Sequence, residues 1–234
     1  MGYAGGKSGS GVYQKIIAEI PPHGCYIETH LGGGGVFLKK KKADRSIGID
    51  LNRDVISGWV SEARDLGLEL YCMDAVDFLR SFDFGNYGGN VFLYVDPPYV
   101  MSTRKGGKIY KKEYTDKDHV RLLECLMNLP CNIMISGYRS ELYDLYLKGW
   151  RSIDFRAMTR RGLATETIWM NYATVDVLHD YSFVGDTFRD RERLKRKRDR
   201  WVKRLQGMDA RERNMLLECL SDLKASNMAM LDPG

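Results

Sequence analysis

Asp96-Pro97-Pro98-Tyr99 is the segment of this chain whose residue types most directly imply chemistry. It ends an apolar run, Val91-Phe92-Leu93-Tyr94-Val95, whose β-branched and aromatic residues bounded by proline read as a buried strand. Neither proline offers an N–H, so the ladder stops there and the backbone is fixed. A rigid turn at the carboxyl end of a strand lies where open α/β sheets place their ligands. The turn offers a carboxylate, carbonyl oxygens and an aromatic ring, a set that suits a planar base bearing an exocyclic amino group. The amino nitrogen of adenine or cytosine is a poor nucleophile, because its lone pair is delocalised into the ring. If Asp96 and the Pro97 carbonyl accept its N–H bonds, that lone pair is localised toward a methyl donor, by positioning and electrostatics. Tyr99, its backbone set by Pro98, would stack on a base that has left the duplex. The competing reading is a structural turn in which Asp96 caps a helix.

Three strand ends upstream must position a methyl donor beside that turn. Ile27-Glu28-Thr29-His30-Leu31-Gly32-Gly33-Gly34-Gly35-Val36-Phe37 reads as a strand, a glycine loop and the start of a helix. Glycines turn sharply with positive φ and let backbone approach a ligand. Ser46-Ile47-Gly48-Ile49-Asp50-Leu51-Asn52 reads as a second strand ending in an acid, placed to take the ribose hydroxyls of a nucleoside-bearing cofactor. Leu68 to Met73 reads as a third, ending in Asp74-Ala75, suited to an adenine amino group. Each signal alone is also that of a cap or a turn; the three in succession define a cofactor cleft.

These segments together resemble the D12 class of N6-adenine methyltransferases, which includes the DNA adenine methylases. Tyr3-Ala4-Gly5-Gly6-Lys7 is similar to the family's aromatic-Ala-Gly-Gly-Lys motif, which implies that Tyr3, Ala4, Gly5 and Lys7 help bind S-adenosylmethionine. Glu28 to Gly34 resembles the Glu-Pro-Phe-x-Gly-x-Gly cofactor loop, implying contacts from Glu28, Thr29, His30, Gly32 and Gly34. Asp50-Leu51-Asn52 matches the Asp-x-Asn that follows, and Asp96 to Tyr99 matches the catalytic motif. Ile135 to Tyr138 and Glu166 to Tyr172 are similar to later family strands. The resemblance spans roughly residues 1 to 175, and it implies double-stranded DNA with a flipped adenine as substrate.

The chain departs from the family in two places. Thr29-His30 stands where the family has Pro-Phe, and a packed, satisfied imidazole is the simpler expectation for His30. The family's DNA adenine methylases also carry a sizeable target-recognition insert between the cofactor loop and the catalytic strand. Here Asn52 runs through one helix to the strand at Leu68, which leaves no room for it. Low or very short sequence specificity is the expectation. An RNA adenine or a cytosine N4 target stays open, since the turn serves any such amino group, as does a non-catalytic nucleic-acid-binding protein with this fold. A methylase without a reader suits a phage or mobile element that masks its DNA from restriction.

Composition places these motifs in an ordinary globular chain. With 234 residues, 44% of them apolar, it can bury a full core. There is no 18-residue apolar run for a membrane span, and Gly5 to Gly9 do not read as a secretory signal. Five scattered cysteines lack metal-site spacing, and Cys25 and Cys72 are expected as buried free thiols in a reducing cytosol. Gly5-Gly6-Lys7-Ser8 is no P-loop, because the first glycine of that motif would fall on Met1. Helical stretches near 11–20, 54–65, 75–82, 116–129 and 139–148 alternate with strands near 25–29, 46–50, 68–73, 91–95, 131–136, 151–157 and 165–172. Asp116 is the expected cap of the fourth helix. The alternation predicts an α/β Rossmann-like methyltransferase fold with a seven-stranded, mostly parallel sheet over residues 1–180, ending in a short hairpin at Thr159 to Gly162.

Net charge is +5, unevenly spread. After the catalytic turn, Arg104, Lys105, Lys108, Tyr110, Lys111 and Lys112 read as a glycine-containing loop that contacts phosphates, or as a solvated surface loop. Lys39 to Lys42 read as the end of a helix, where cations suit the dipole. Residues 186–226 read as a basic helical hairpin before a tail at 227–234. Its first helix carries Arg196, Arg200 and further cations opposite a stripe of Leu194, Trp201, Val202 and Leu205. Gly207 ends that helix, and Asp209 with Glu212 forms a capping box for the next. This region is expected to clamp DNA without sequence preference, with an oligomerisation arm as the competing reading.

Overall fold

The computed structural model describes residues 7, 9, 11–104, 112–159 and 162–231. The chain divides into two compact units, residues 1–183 and 184–234. In the first unit the order is α1 (Val12–Ile17), β1 (Cys25–Thr29), β2 (Arg45–Ile49), α2 (Arg53–Leu66), β3 (Leu68–Tyr71), α3 (Ala75–Ser81), β4 (Val91–Val95), α4 (Asp116–Leu126), β5 (Asn132–Gly137), α5 (Glu141–Tyr146), β6 (Arg151–Thr159) and β7 (Gly162–Met170). The strands form one sheet in the order β3-β2-β1-β4-β5-β7-β6. The first five are parallel, β7 is antiparallel to β5, and β6 closes the hairpin against β7. This is the S-adenosylmethionine-dependent methyltransferase fold, with the terminal hairpin that distinguishes it from other Rossmann-like sheets.

Burial on both faces explains the unbroken apolar strands. Along β1 and β4, Cys25, Ile27, Val91, Leu93 and Val95 join a core beneath α3, α4 and α5. The intervening Tyr26, Phe92 and Tyr94 join a second core with Val12, Ile16 and Ile17 of α1 and Trp59 and Ala63 of α2. Alternation by two along a strand assigns each residue to its face.

Local chemistry sets the helix starts. Asn52 caps α2, its side chain accepting from the Asp54 amide, and Gly67 ends the helix in the left-handed region. Thr115 caps α4 in a reciprocal box with Asp118, which moves the expected cap from Asp116 to the residue before it. No helix follows the glycine loop. Residues 35–39 form turns after Gly32 and Gly34, which take positive φ. The Lys39 to Lys42 run therefore does not end a helix. Lys40 is instead buried, its ammonium 4.0 Å from the centre of the Tyr26 ring. Cys72 is exposed rather than buried, because the edge strand β3 stops at Tyr71.

The second unit holds α6 (Phe188–Gln206) and α7 (Ala210–Leu231). Thr187 and Asp190 box the start of α6, and Asp209 caps α7 by accepting from the amides of Arg211 and Glu212. α7 continues past 226, so the expected tail is helical through Leu231. Among the described residues of this unit Trp201, Leu220 and Leu223 are all more than half exposed. No described helix is long and apolar enough to cross a membrane.

Gly34 is the position at which the cofactor loop depends most on glycine. Its φ is +57°, and a Cβ there would lie 2.5 Å from the Trp59 indole. Gly34→Ala is expected to destabilise the chain by about 1–3 kcal/mol and to disturb Trp59. Thermal unfolding and tryptophan fluorescence check this, and a variant that melts with the parent would contradict it.

Candidate active site

Sheet register brings the chemical residues to one edge. Thr29 pairs with both Ile49 and Val95, so the residues that follow these strand ends, His30, Asp50 and Asp96, emerge side by side. β1 is flanked by β2 on one side and β4 on the other, which makes this edge the point where strand order reverses and ligands bind in open sheets. β7 runs the opposite way, so its residue Glu166 reaches the same edge, one position beyond the pairing of Thr167 with Gly137.

A buried cation organises the turn from Asp96 to Tyr99. The Lys7 ammonium lies 2.7 Å from Asp96 Oδ1 and 3.6 Å from Glu166 Oε2, and it donates to the Tyr99 hydroxyl at 3.1 Å. Burial alone would lower its pKa; Asp96, Tyr99 and Glu166 outweigh that and hold it well above the ordinary lysine value. Ser136 at the end of β5 donates to Asp96 Oδ1 at 2.8 Å. Since that bond uses the serine proton, the Tyr94 hydroxyl 2.9 Å away is the donor to Ser136. Pro97 and Pro98 are buried, and the Asp96 side chain keeps 17% of its surface exposed. Tyr99 is fixed at several points. Its hydroxyl donates to Glu166 Oε1 at 3.1 Å, and its ring stacks on Tyr138 with centroids 4.2 Å apart. Asp96 therefore serves the site edge and caps no helix. Sequence reasoning assigned no role to Ser136, Tyr138 or Glu166; the signal was polar residues inside runs that otherwise read as buried strand.

The structure places Lys7 with the catalytic turn, whereas the resemblance gave it to the cofactor. Tyr3, Ala4 and Gly5 lie outside the described residues. The Glu28 carboxylate is buried, accepting from the Tyr26 hydroxyl at 2.7 Å and the Phe37 amide at 3.2 Å. Burial raises its pKa to about 8, against the pull of those bonds. Asp50 accepts from the Gly32 amide at 2.9 Å and the Asn52 amide at 2.8 Å, while the Trp59 indole donates to the Gly32 carbonyl. The glycine loop is thus tied to β2 and α2. Leu51 is 44% exposed at the same edge. Asp74 caps α3 through the Val76 and Asp77 amides and pairs with Arg121 at 2.9 Å, with Ala75 buried behind it. His30, at φ +60°, is a packed imidazole: its nitrogens bond to the hydroxyls of Thr29 and Tyr114, and burial lowers its pKa to about 4.

Arg104 is not a phosphate contact. Its side chain is 2% exposed, pairs with Glu113 at 2.6 Å and donates to the Tyr99 carbonyl, because the catalytic turn leaves that oxygen unsatisfied by any ladder. Lys112 is exposed, and Lys105, Lys108, Tyr110 and Lys111 lie outside the described residues. Arg196 and Arg200 are exposed on α6.

No family model and no curated protein matches the chain. Solved structures similar to it include precorrin 8w decarboxylase from Methanobacterium thermoautotrophicum, 14% identical, covering 68% of this chain and 86% of that one with a TM-score of 0.42. A putative RNA methyltransferase from Pyrococcus horikoshii is 9% identical, with coverages of 65% and 76% and a TM-score of 0.42. A dimethyladenosine transferase from Plasmodium falciparum is 12% identical, with coverages of 68% and 60% and a TM-score of 0.44. At this level of likeness the fold rests on the chain's own strand order.

Glu28 gives the site a pH signature. The folded chain holds a proton on this carboxyl up to about pH 8, while the unfolded chain releases it near the ordinary 4.5. Stability must therefore fall as pH rises through that window, by at most ~1.4 kcal/mol per pH unit for one proton. Glu28→Gln is expected to remove this slope, so the variant gains on the parent between pH 5 and 8. Chemical denaturation across that range is the check, and parallel curves would refute the assignment.

Proposed function

We propose that this chain transfers a methyl group from S-adenosylmethionine to the N6 amino group of adenine in DNA, with little sequence discrimination. One observation carries the reading: a partly exposed carboxylate, Asp96, at the switch-point edge of a methyltransferase fold, beside a tyrosine ring held on one face by Tyr138. S-adenosylmethionine, when bound, supplies an electrophilic methyl group. The residues for holding it fit: a loop that glycine alone can follow at position 34, the Asp50 carboxylate beside it, and exposed Leu51.

The chain's own part is positional. Asp96 and the Pro97 carbonyl accept the two N–H bonds of the amino group, so its lone pair turns toward the methyl carbon. With the methyl donor bound, the nitrogen so held would be placed to receive its methyl group, and the Asp96 carboxylate would take the surplus amino proton and pass it to water. Tyr99 offers the ring face turned from Tyr138 to the flipped base. Lys7 and Ser136 hold Asp96 Oδ1, which fixes the rotamer that aims the carboxylate.

Low specificity follows from what lies between the cofactor cleft and β4. From Tyr71 to Val91 the chain contains α3 and one short 3-10 helix, Phe84–Tyr87. Affinity then has to come from charge. On α6, Arg189, Arg193, Arg196, Arg200 and Lys203 recur at spacings of three and four, which puts five exposed cations on one helix face over about 21 Å. Such a row suits a phosphate backbone and reads no bases.

Transfer of labelled methyl to matched DNA and RNA, followed by nucleoside analysis, tests the reaction. N6-methyladenine in DNA across many contexts is expected, with Asp96→Ala losing transfer while still binding DNA. Label only in RNA, or only on cytosine, would overturn the substrate; an Asp96→Ala enzyme that still transfers would overturn the mechanism. Charge reversal at Arg196 and Arg200 tests the α6 row. The double variant is expected to weaken DNA binding equally for all sequences and to flatten the salt dependence by about two units of log–log slope. An unchanged slope would remove α6 from the interface.

A further inference from the structure

We infer that Glu166 is a positioning residue for base stacking: paired with Lys7, it fixes the Tyr99 ring through the tyrosine hydroxyl. This rests on the proposed methyl transfer.

Glu166 is 4% exposed on β7, in a strand whose neighbouring buried residues include Thr167, Ile168, Trp169 and Met170. A carboxylate in such surroundings is costly unless paired. Its two oxygens divide the work. Oε1 accepts from the Tyr99 hydroxyl at 3.1 Å, and Oε2 makes no hydrogen bond, facing the Lys7 ammonium at 3.6 Å. Lys7 in turn donates to the same tyrosine oxygen at 3.1 Å. The hydroxyl is therefore held between a donor and an acceptor of opposite charge, which defines its position in the ring plane. Tyr138 covers one face of that ring and Arg104 grips the backbone carbonyl of the same residue. Hydroxyl, face and backbone are fixed from three different parts of the fold.

The consequence is a pre-set stacking surface. A tyrosine free to turn about its side-chain bonds would lose rotamer freedom when the base arrives; one already clamped does not, and stacking then favours the extruded base directly. Glu166 reaches the base by two paths, the Tyr99 hydroxyl and Lys7 with Asp96, and a double-mutant cycle rejects the first as the dominant one if the losses multiply.

Four enzymes are compared: the parent, Glu166→Gln, Tyr99→Phe and the double variant. The Gln variant keeps the shape and loses the charge-assisted bond, and the Phe variant keeps the ring and loses the hydroxyl. Each single change is expected to lower the rate of methyl transfer about tenfold, with S-adenosylmethionine affinity unchanged. The double variant is expected to be no slower than the slower single one. Multiplying losses, near a hundredfold together, would overturn the inference while leaving the methyl-transfer reading intact. A parent that transfers no methyl would sink that reading alone, and the motion of the ring then tests Glu166 independently. With a 19F-labelled tyrosine at position 99, the parent is expected to give the sharp line of one side-chain rotamer and Glu166→Gln a line broadened by exchange with another. Equal line shapes in the two proteins would overturn the clamp whatever the activity.

Discussion

The ammonium of Lys7 is the group on which the arrangement of the site depends. Taking a lysine charge out of water costs several kcal/mol after relaxation, and only close opposite charge offsets it. Here the compensation comes from β4 and β7 together, through Asp96 and Glu166, with the Tyr99 hydroxyl as a third partner. The cation therefore does more than neutralise. It ties a residue at the start of the chain to two strand ends, and it makes the rotamers of Asp96, Tyr99 and Glu166 interdependent. Removing one carboxylate would leave the others facing a buried charge that they no longer balance, so the cluster stands or falls as a unit.

Carboxylates elsewhere on the edge show how one residue can serve both structure and ligand. Asp50 uses one oxygen for the Gly32 amide and the other for the Asn52 amide, which anchors the glycine loop. An ionised carboxylate has about four lone-pair sites, so two remain for hydroxyl donors. Asp74 is more heavily committed, to two amides and Arg121 through Oδ1. Capping and ligand binding are thus compatible for both, since the three partners of Asp74 all share Oδ1.

How much of this was legible in the sequence follows from how local each signal is. The strand from Val91 is apolar throughout because both faces are buried, and the strands from Cys25 and Asn132 are apolar except toward their ends, so such runs are legible. The catalytic turn was legible because two prolines and an acid are contiguous. Glu166 was not, because its partners Lys7 and Tyr99 are far away in sequence and only the antiparallel return of β7 brings it to their edge. Arg104 sits in a basic stretch that reads as solvated, yet one unsatisfied carbonyl and Glu113 draw it inside. The helix expected after the glycine loop is a run of turns over residues 35–39, a difference that an apolar pattern does not reveal.

Chemistry and affinity sit on different physical footings in this chain. Lys7 and Glu166 at the site edge are buried and paired, and interactions of desolvated charges depend steeply on geometry. The α6 face is wet and exposed, where each cation contributes little alone and salt screens it. A rigid site tolerates few substitutions, whereas a row of solvated cations tolerates many, since any one of them is replaceable by its neighbours. On the proposed function, such a chain gains residence on a polyanion without registering its sequence, and the turn selects the base through the amino group that Asp96 and the Pro97 carbonyl would hold.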